Sequence, residues 1–254
     1  ELADLAAARR VPSLEPAAWV DVERSEIPEV LAAPEAPQAA PFIPATFTAS
    51  GVEVTPAQAA AADIRVVAHL GDPLVRGGGP EWDHVGDCVH AYLAAPLREL
   101  DAAAQLVVAR RLVRSWGVGA YVQPADIVDC GARWTQWREQ AFPGADASTE
   151  VPFTWTNPAH QRTQGWLDQL VSTKDGRMVV VDHKTYPGSD PLGHVRRHYV
   201  GQMATYREAV SRICSVPRTD VEVLIHLPLL GLVVAVDLGG AVMSRGDGGG
   251  ELKS

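Results

Sequence analysis

The spacing of apolar positions divides the chain into blocks of helical and extended pattern. DHVGDCVHAYLAAPL (83–97) and RELDAAAQLVVARRLVRSWG (98–117) carry apolar residues at helical intervals, the second closing on Gly117 as a C-cap. A third helix is predicted from about Ala125 to Ala141, ended by the FPGA turn at 142–145. Three runs of β-type pattern follow: EVPFTWTN (150–157), GWLDQLVS (165–172) and RMVVVDHK (177–184). Pro158-Ala159 and Asp175-Gly176 separate them, so they read as an antiparallel meander. Tyr199, Met203, Tyr206, Val210 and Ile213 then recur at helical spacing, which predicts a single amphipathic helix over about Leu192 to Ile213. VEVLIHLP (221–228) and LVVAVDL (232–238) read as two more strands. The order of helices, strands, helix and strands, without an internal repeat, indicates an α/β (α+β) core.

Ahead of this core, residues 11–50 hold seven of the chain's 19 prolines and Ala-rich stretches such as LAAPEAPQAAP, with no sustained apolar period. The chain is therefore read as a linker or remnant of a preceding domain over 1–50, a catalytic-type domain over 51–242 and a flexible tail over 243–254. A hydrophobic content of 46% in 254 residues is ample for a buried core. No apolar run approaches the roughly 18 residues needed to cross a bilayer, and the first residues lack the regions of a signal peptide, so the expectation is a cytoplasmic protein without a membrane partner. Cys88, Cys130 and Cys214 are odd in number and far apart, which suits buried reduced thiols and neither disulfides nor a cluster ligand set. Gly77-Gly78-Gly79 is not followed by Gly-Lys-Ser/Thr, so no ATP site is indicated. The net charge of −9 argues against a protein that grips nucleic acid over its whole surface, although residues 1–50 supply −5 of it.

The turn between the second and third strands sets a geometry. If Lys174-Asp175-Gly176 is a three-residue loop with Gly176 left-handed, paired residue numbers total 350 and Asp168 faces Asp182. A two-residue Asp175-Gly176 turn would instead shift the register by one and put the carboxylates on opposite faces. In the first case two like charges stand roughly 4.5–5.5 Å apart at Cβ, which destabilises the sheet unless something positive sits between them. Lys184, two residues beyond Asp182, shares its face. Two carboxylates and an ammonium around one point suit phosphodiester hydrolysis, with the carboxylates holding a hard divalent cation. Each residue also has an ordinary reading: Asp-x-Lys as a surface ion pair, Asp168 as an edge-strand charge, and His90, on the Val85, Val89, Leu93 face, as a satisfied core histidine.

Taken together, GDCVH (86–90), EVPF (150–153), GWLDQLV (165–171), VVVDHKT (179–185) and QMATY (202–206) resemble the ordered motifs of RecB-like nucleases in the PD-(D/E)XK superfamily, over roughly residues 80–210. The resemblance implies a restriction-endonuclease-like core, a central mixed sheet flanked by helices. It implies that His90, Asp168, Asp182 and the His183 carbonyl bind Mg²⁺ or Mn²⁺, that Asp168, Asp182 and Lys184 are catalytic, and that Gln202 and Tyr206 line the DNA-facing side. Tyr206 as core with Gln202 as its polar border is the alternative, as is a strand-end solvent charge for Glu150 against an outer-shell carboxylate. Arg196 and Arg197, the densest basic cluster near the site, are candidates for phosphate contact or a solvated helix face. The absence of four iron–sulfur cysteines points to the cluster-free branch, where the nuclease follows a helicase in RecB- and AddA-type helicase-nucleases. The resemblance thus implies an exonuclease acting on DNA, with single-stranded ends as substrate and a fused or associated helicase as partner, in DNA repair and recombination. A catalytically silent DNA-binding or scaffolding module of the same fold is the rival reading.

Overall fold

Valine-rich segments with no polar alternation have to be covered on both faces. β5 (Met178–His183) meets this condition: Val179, Val180 and Val181 are fully buried. The computed structural model describes residues 45–74 and 82–239. Gly77-Gly78-Gly79, residues 1–44 of the expected linker and the expected tail at 243–254 lie outside the described residues. All those described belong to one unit, Ile43–Ser254.

In chain order the elements are β1 (Thr46–Phe47), α1 (Pro56–Ala61), β2 (Asp63–His69), α2 (Trp82–Ala94), α3 (Ala102–Ser115), α4 (Pro124–Ala141), β3 (Asp146–Thr156), β4 (Arg162–Ser172), β5, α5 (Pro191–His198), α6 (Val200–Ile213), β6 (Val221–Leu227) and β7 (Leu232–Asp237). Seven strands form one mixed sheet in the order β1-β4-β5-β6-β7-β2, with β3 running along β4. β3, β4 and β5 form the expected antiparallel meander, whereas β5 pairs with β6 in parallel after the α5–α6 crossover. One sheet face, with Val180, Val223, Ile225 and Val234, packs on Val195, Met203, Tyr206 and Val210 of the crossover helices. The other face, with Val179, Val181, Leu224 and Val233, packs on Trp134 of α4. A third apolar cluster joins α2, α3 and α4 through Val85, Val89, Tyr92, Val113 and Ile127.

The three-residue loop is present. Gly176 has φ +85, Gly176 N–H donates to Thr173 O at 3.0 Å, and Thr173 N–H donates to Arg177 O at 3.0 Å. The resulting register pairs Gln169 with Val181 and Ser172 with Met178. α3 ends as expected on left-handed Gly117, φ +68, with Val118 N–H donating to Val113 O.

Three features depart from the pattern reading. β1, β2 and α1 were not evident in it, and Thr46–Gly51 belongs to the core: β1 pairs with β4, Thr48 caps a 3-10 turn at Ala49–Gly51, and Ala49 is buried. The folded core thus reaches back into the stretch that reads as linker. The expected single helix over 192–213 is two, broken at Tyr199, which has φ −120 and ψ −9. Cys88 and Cys130 are buried as expected, but Cys214 is only half-buried at the end of α6.

The break at Tyr199 leaves α5 as a short helix packed beside α1. Arg196 Nη1 donates to the carbonyls of Ala59 (2.8 Å), Ala60 (3.3 Å) and Ala62 (2.8 Å). Those are the carbonyls left without intrahelical partners at the end of α1. Hydrogen bonds to a charged donor contribute about 1.5–3 kcal/mol. Arg196→Ala is therefore expected to lower the unfolding free energy in urea by about 1–3 kcal/mol. An unchanged midpoint would mean that the Arg196 guanidinium does not cap α1.

Candidate active site

The β4–β5 ladder stops at Gln169/Val181. One step further, the same register sets Asp168 opposite Asp182, and there a side chain replaces the ladder: His183 N–H donates to Asp168 Oδ2 at 2.7 Å. β3 continues the row. Thr149 pairs with Gln169 and Val151 with Leu167, so Glu150 stands opposite Asp168. Glu150, Asp168 and Asp182 thus lie in line across three neighbouring strands. Glu150 has φ +51, a left-handed conformation that a non-glycine residue holds only when its surroundings impose it.

α2 delivers the histidine. Gly86 and His90 are one turn apart on one face, and a Cβ at Gly86 would fall on the Thr185 hydroxyl just past Lys184. The missing side chain is what lets α2 lie against the end of β5. His90 Nε2 then sits 3.3 Å from Asp168 Oδ1 and 3.4 Å from Glu150 Oε1. Ligand atoms of His90, Glu150 and Asp168 all lie within 4.8 Å of one another, close enough to hold one metal ion.

Asp182 faces the crossover helices and is buried. Lys184 Nζ is 3.0 Å from its Oδ2, and Gln202 Nε2 donates to its Oδ1 at 3.2 Å and to Tyr206 Oη at 2.8 Å. Gln202 and Tyr206 are both buried, and Tyr206 packs edge-on against Phe153. They therefore support the site from beneath. Lys184 Nζ also stands 5.2 Å above the Tyr199 ring. The positive groups thus attach one to each carboxylate, His90 to Asp168 and Lys184 to Asp182. An open cleft of about 340 Å³ beside His90 and Lys184 is lined by Asp87, His90, His183, Lys184, Thr185 and Tyr199.

Burial pushes the Asp182 carboxyl up to about 6, against the pull of the Lys184 charge. Burial also works upward on Asp168, but the hydrogen bond and charge of His90 outweigh it and hold Asp168 below the usual carboxylate range. The Asp168 hydrogen bond raises His90 above its ordinary value, against burial. Burial works downward on Lys184, but Asp182 beside it leaves the ammonium raised.

His183 points to the other sheet face, where its Nδ1 lies 3.0 Å from Nδ1 of His226. His226 is fully buried and stacked on Trp134, with ring centroids 4.5 Å apart. Burial lowers His183 to about 4 and His226 well below its ordinary value, so both rings are neutral. His226 O accepts from Lys184 N–H at 2.9 Å, which fixes the end of β5 through the backbone as well.

The structure thus brings together His90, Asp168, Asp182, His183, Lys184, Gln202 and Tyr206, and adds Glu150. It does not bring the two arginines to the site: Arg196 is held by α1 and the exposed Arg197 pairs with Asp190 at 3.1 Å. His226 and Trp134 were missed by sequence reasoning. A histidine in the otherwise apolar VEVLIHLP run was the available signal.

The family described as the PD-(D/E)XK nuclease superfamily has a model that matches residues 65–228. No curated protein matches the chain. Among solved structures, the chain is similar to one described as "Crystal structure of SSO0001", at 14% identity and a TM-score of 0.29, over 60% of this chain and 76% of that one. No helix among the described residues is long and apolar enough to cross a membrane.

The raised Asp182 carboxyl links stability to pH. Its folded value of about 6 lies above the roughly 3.9 of an unfolded aspartate, so between these values the native state binds more protons than the unfolded one. Stability of the metal-free protein therefore falls as pH rises through that window. Asp182→Asn removes this contribution. In chelator, the variant should gain on the order of 1–3 kcal/mol relative to wild type between about pH 4 and pH 7, read from urea unfolding at each pH. Parallel curves for the two proteins would show that Asp182 does not carry the buried charge.

Proposed function

The chain belongs to the PD-(D/E)XK nuclease superfamily, and from that membership we propose that it is a divalent-metal-dependent deoxyribonuclease of RecB-like type, using Mg²⁺ or Mn²⁺. The observation that carries the reading is the row of Glu150, Asp168 and Asp182 across β3, β4 and β5, with His90 above it and Lys184 beside it. A module freed from catalysis has no use for carboxylates in repelling positions, one of them buried.

The donor set fits a divalent cation. His90 Nε2, Glu150 and Asp168 already converge, an imidazole nitrogen and two carboxylates, and Asp182 adds a buried third carboxylate on the neighbouring strand. His90, Asp168 and Asp182 would hold the ion, with Glu150 within reach. The His183 carbonyl would join them, since in an extended strand a residue's N–H and C=O share one edge and the His183 N–H points at Asp168. When bound, the cation supplies Lewis-acid polarisation of a phosphate and lowers the pKa of water. Lys184 is placed to orient the attacking water and to stabilise negative charge developing on the phosphate. Gln202, tied to Tyr206, keeps the Asp182 carboxylate turned toward the site.

Exonuclease action on single-stranded ends, a preceding or associated helicase and a place in DNA end processing for recombinational repair complete the proposal. They rest on the motif resemblance. End-labelled linear and closed circular single strands, with and without divalent metal, test it. The wild type should degrade the linear strand only with metal and leave the circle intact. Cutting of the circle would refute exonuclease action, and inert linear strands across Mg²⁺ and Mn²⁺ would favour the silent module. Outer-shell partners of a metal are worth about 10–100-fold, so Asp182→Ala, which removes a ligand, should cost more than about a hundredfold. His90→Ala should lose metal affinity by calorimetry yet recover part of its activity at high Mn²⁺, whereas Lys184→Ala, defective in the chemical step, should not recover.

A further inference from the structure

The two faces of the β3–β4 hairpin differ in exposure along their whole outer half. The pairs Val151/Leu167, Phe153/Gly165 and Trp155/Thr163 are turned inward, while the intervening pairs Pro152/Trp166, Thr154/Gln164 and Thr156/Arg162 are all exposed. Alternation along β4 puts Asp168 on the same parity as the exposed Trp166, Gln164 and Arg162. The exposed strip is therefore continuous with the carboxylate row. Trp166 is its first member: 58% exposed, and two residues, about 7 Å, along β4 from Asp168. Trp is among the residues that bury most surface, and here its ring stands in solvent beside the chemistry. The strip beyond it carries hydroxyl and amide groups, no carboxylate, and ends in the cation of Arg162.

We propose that this strip is the track of a single DNA strand and that Trp166 is a positioning residue that stacks on one of its bases, next to the bond presented to Asp168. The inference rests on the nuclease reading above. The strip's chemistry selects the occupant: an aromatic face for a base, neutral donors and one arginine for backbone phosphates, in a chain that is otherwise acidic. A duplex keeps both faces of its bases stacked on neighbours, so only an unpaired strand offers a free base to the indole. Stacking of this kind is tolerant of sequence because every base has a π-face. Trp166 thus gives grip and register without base preference.

The test measures binding in the Asp182→Asn background, which holds the strand without cutting it, by fluorescence anisotropy with two end-labelled probes: oligothymidine and an abasic oligomer of equal length. Trp166→Ala should weaken oligothymidine binding about fivefold to a hundredfold, Trp166→Phe should retain most of it, and the abasic oligomer should bind all three proteins alike. In the active enzyme, Trp166→Ala should raise KM on oligothymidine with little change in kcat. Equal oligothymidine affinity with and without the indole, or an equal loss on the abasic probe, would overturn the stacking role while cleavage by wild type still upheld the nuclease. Failure of wild type to cut and of Asp182→Asn to bind any DNA would bring down both.

Discussion

The register of β4 against β5 is the constraint from which the rest of the site follows. It is set by one left-handed residue, Gly176, in a loop whose Thr173 and Arg177 close the ladder. A shift of one residue would move Asp182 and Lys184 together to the Trp134 face and put Val181 under Gln202, emptying the site and burying a carboxylate in the apolar cluster. The hydrophobic pattern enforces the same register independently, because Val179 and Val181 fill one face and Val180 the other. Turn chemistry and core packing agree, which is how a sheet can hold like charges in opposition.

That opposition has a cost, and the neighbouring groups are arranged to offset it. Asp168 exchanges ladder pairing for a carboxylate hydrogen bond to the His183 N–H and an ionic contact with His90. Asp182 takes Lys184 and Gln202. Lys184 thus serves Asp182 while His90 serves Asp168 and Glu150, and the ligand atoms of His90, Glu150 and Asp168 converge closely enough to hold one ion. The left-handed backbone of Glu150 fits this picture. A regular strand residue there would continue the ladder, whereas φ +51 breaks it while the carboxylate reaches His90.

Most of the site was legible in the sequence because it depends on local rules. A left-handed glycine closing a three-residue loop fixes the register, a period of two places Lys184 beside Asp182, and Gly-x-x-x-His puts a close-approach residue and a site histidine on one helix face. What the sequence left open depends on tertiary contact. Tyr199 fits the helical apolar period perfectly well, so nothing local marks the break between α5 and α6. Arg196 and Arg197 look alike in sequence, yet one is claimed by the carbonyls of α1 and the other by Asp190. The two readings of Glu150, solvent charge and site carboxylate, differ only in whether α2 reaches it, and α2 is 60 residues away along the chain. β1 and β2 escaped notice because a two-residue strand has no periodicity and β2, paired at the sheet's edge, has an irregular one.

Charge explains how an acidic chain can admit DNA. Within the site, Glu150, Asp168 and Asp182 stand against Lys184 and a His90 whose proton is favoured by its neighbours. Above about pH 6, where Asp182 is ionised, the metal-free cluster is therefore net negative, whether or not His90 is charged, and repels a phosphate. A divalent cation would displace the His90 proton, since a ligating imidazole is neutral, and would bring the three carboxylates, Lys184 and the ion itself to about balance. Metal and substrate are then coupled through the charge of the site. On the proposed reading a bound cation would ease the approach of a phosphate, and the hydrogen bond and charge of His90 hold Asp168, its nearest carboxylate, below the usual carboxylate range. The adjoining strip from Trp166 to Arg162 needs no such switch, because it carries no acid to repel a strand. On the proposed reading grip and chemistry are thereby separated: an aromatic and polar track would hold the strand with or without metal and lead it to a centre that would accept phosphate once loaded.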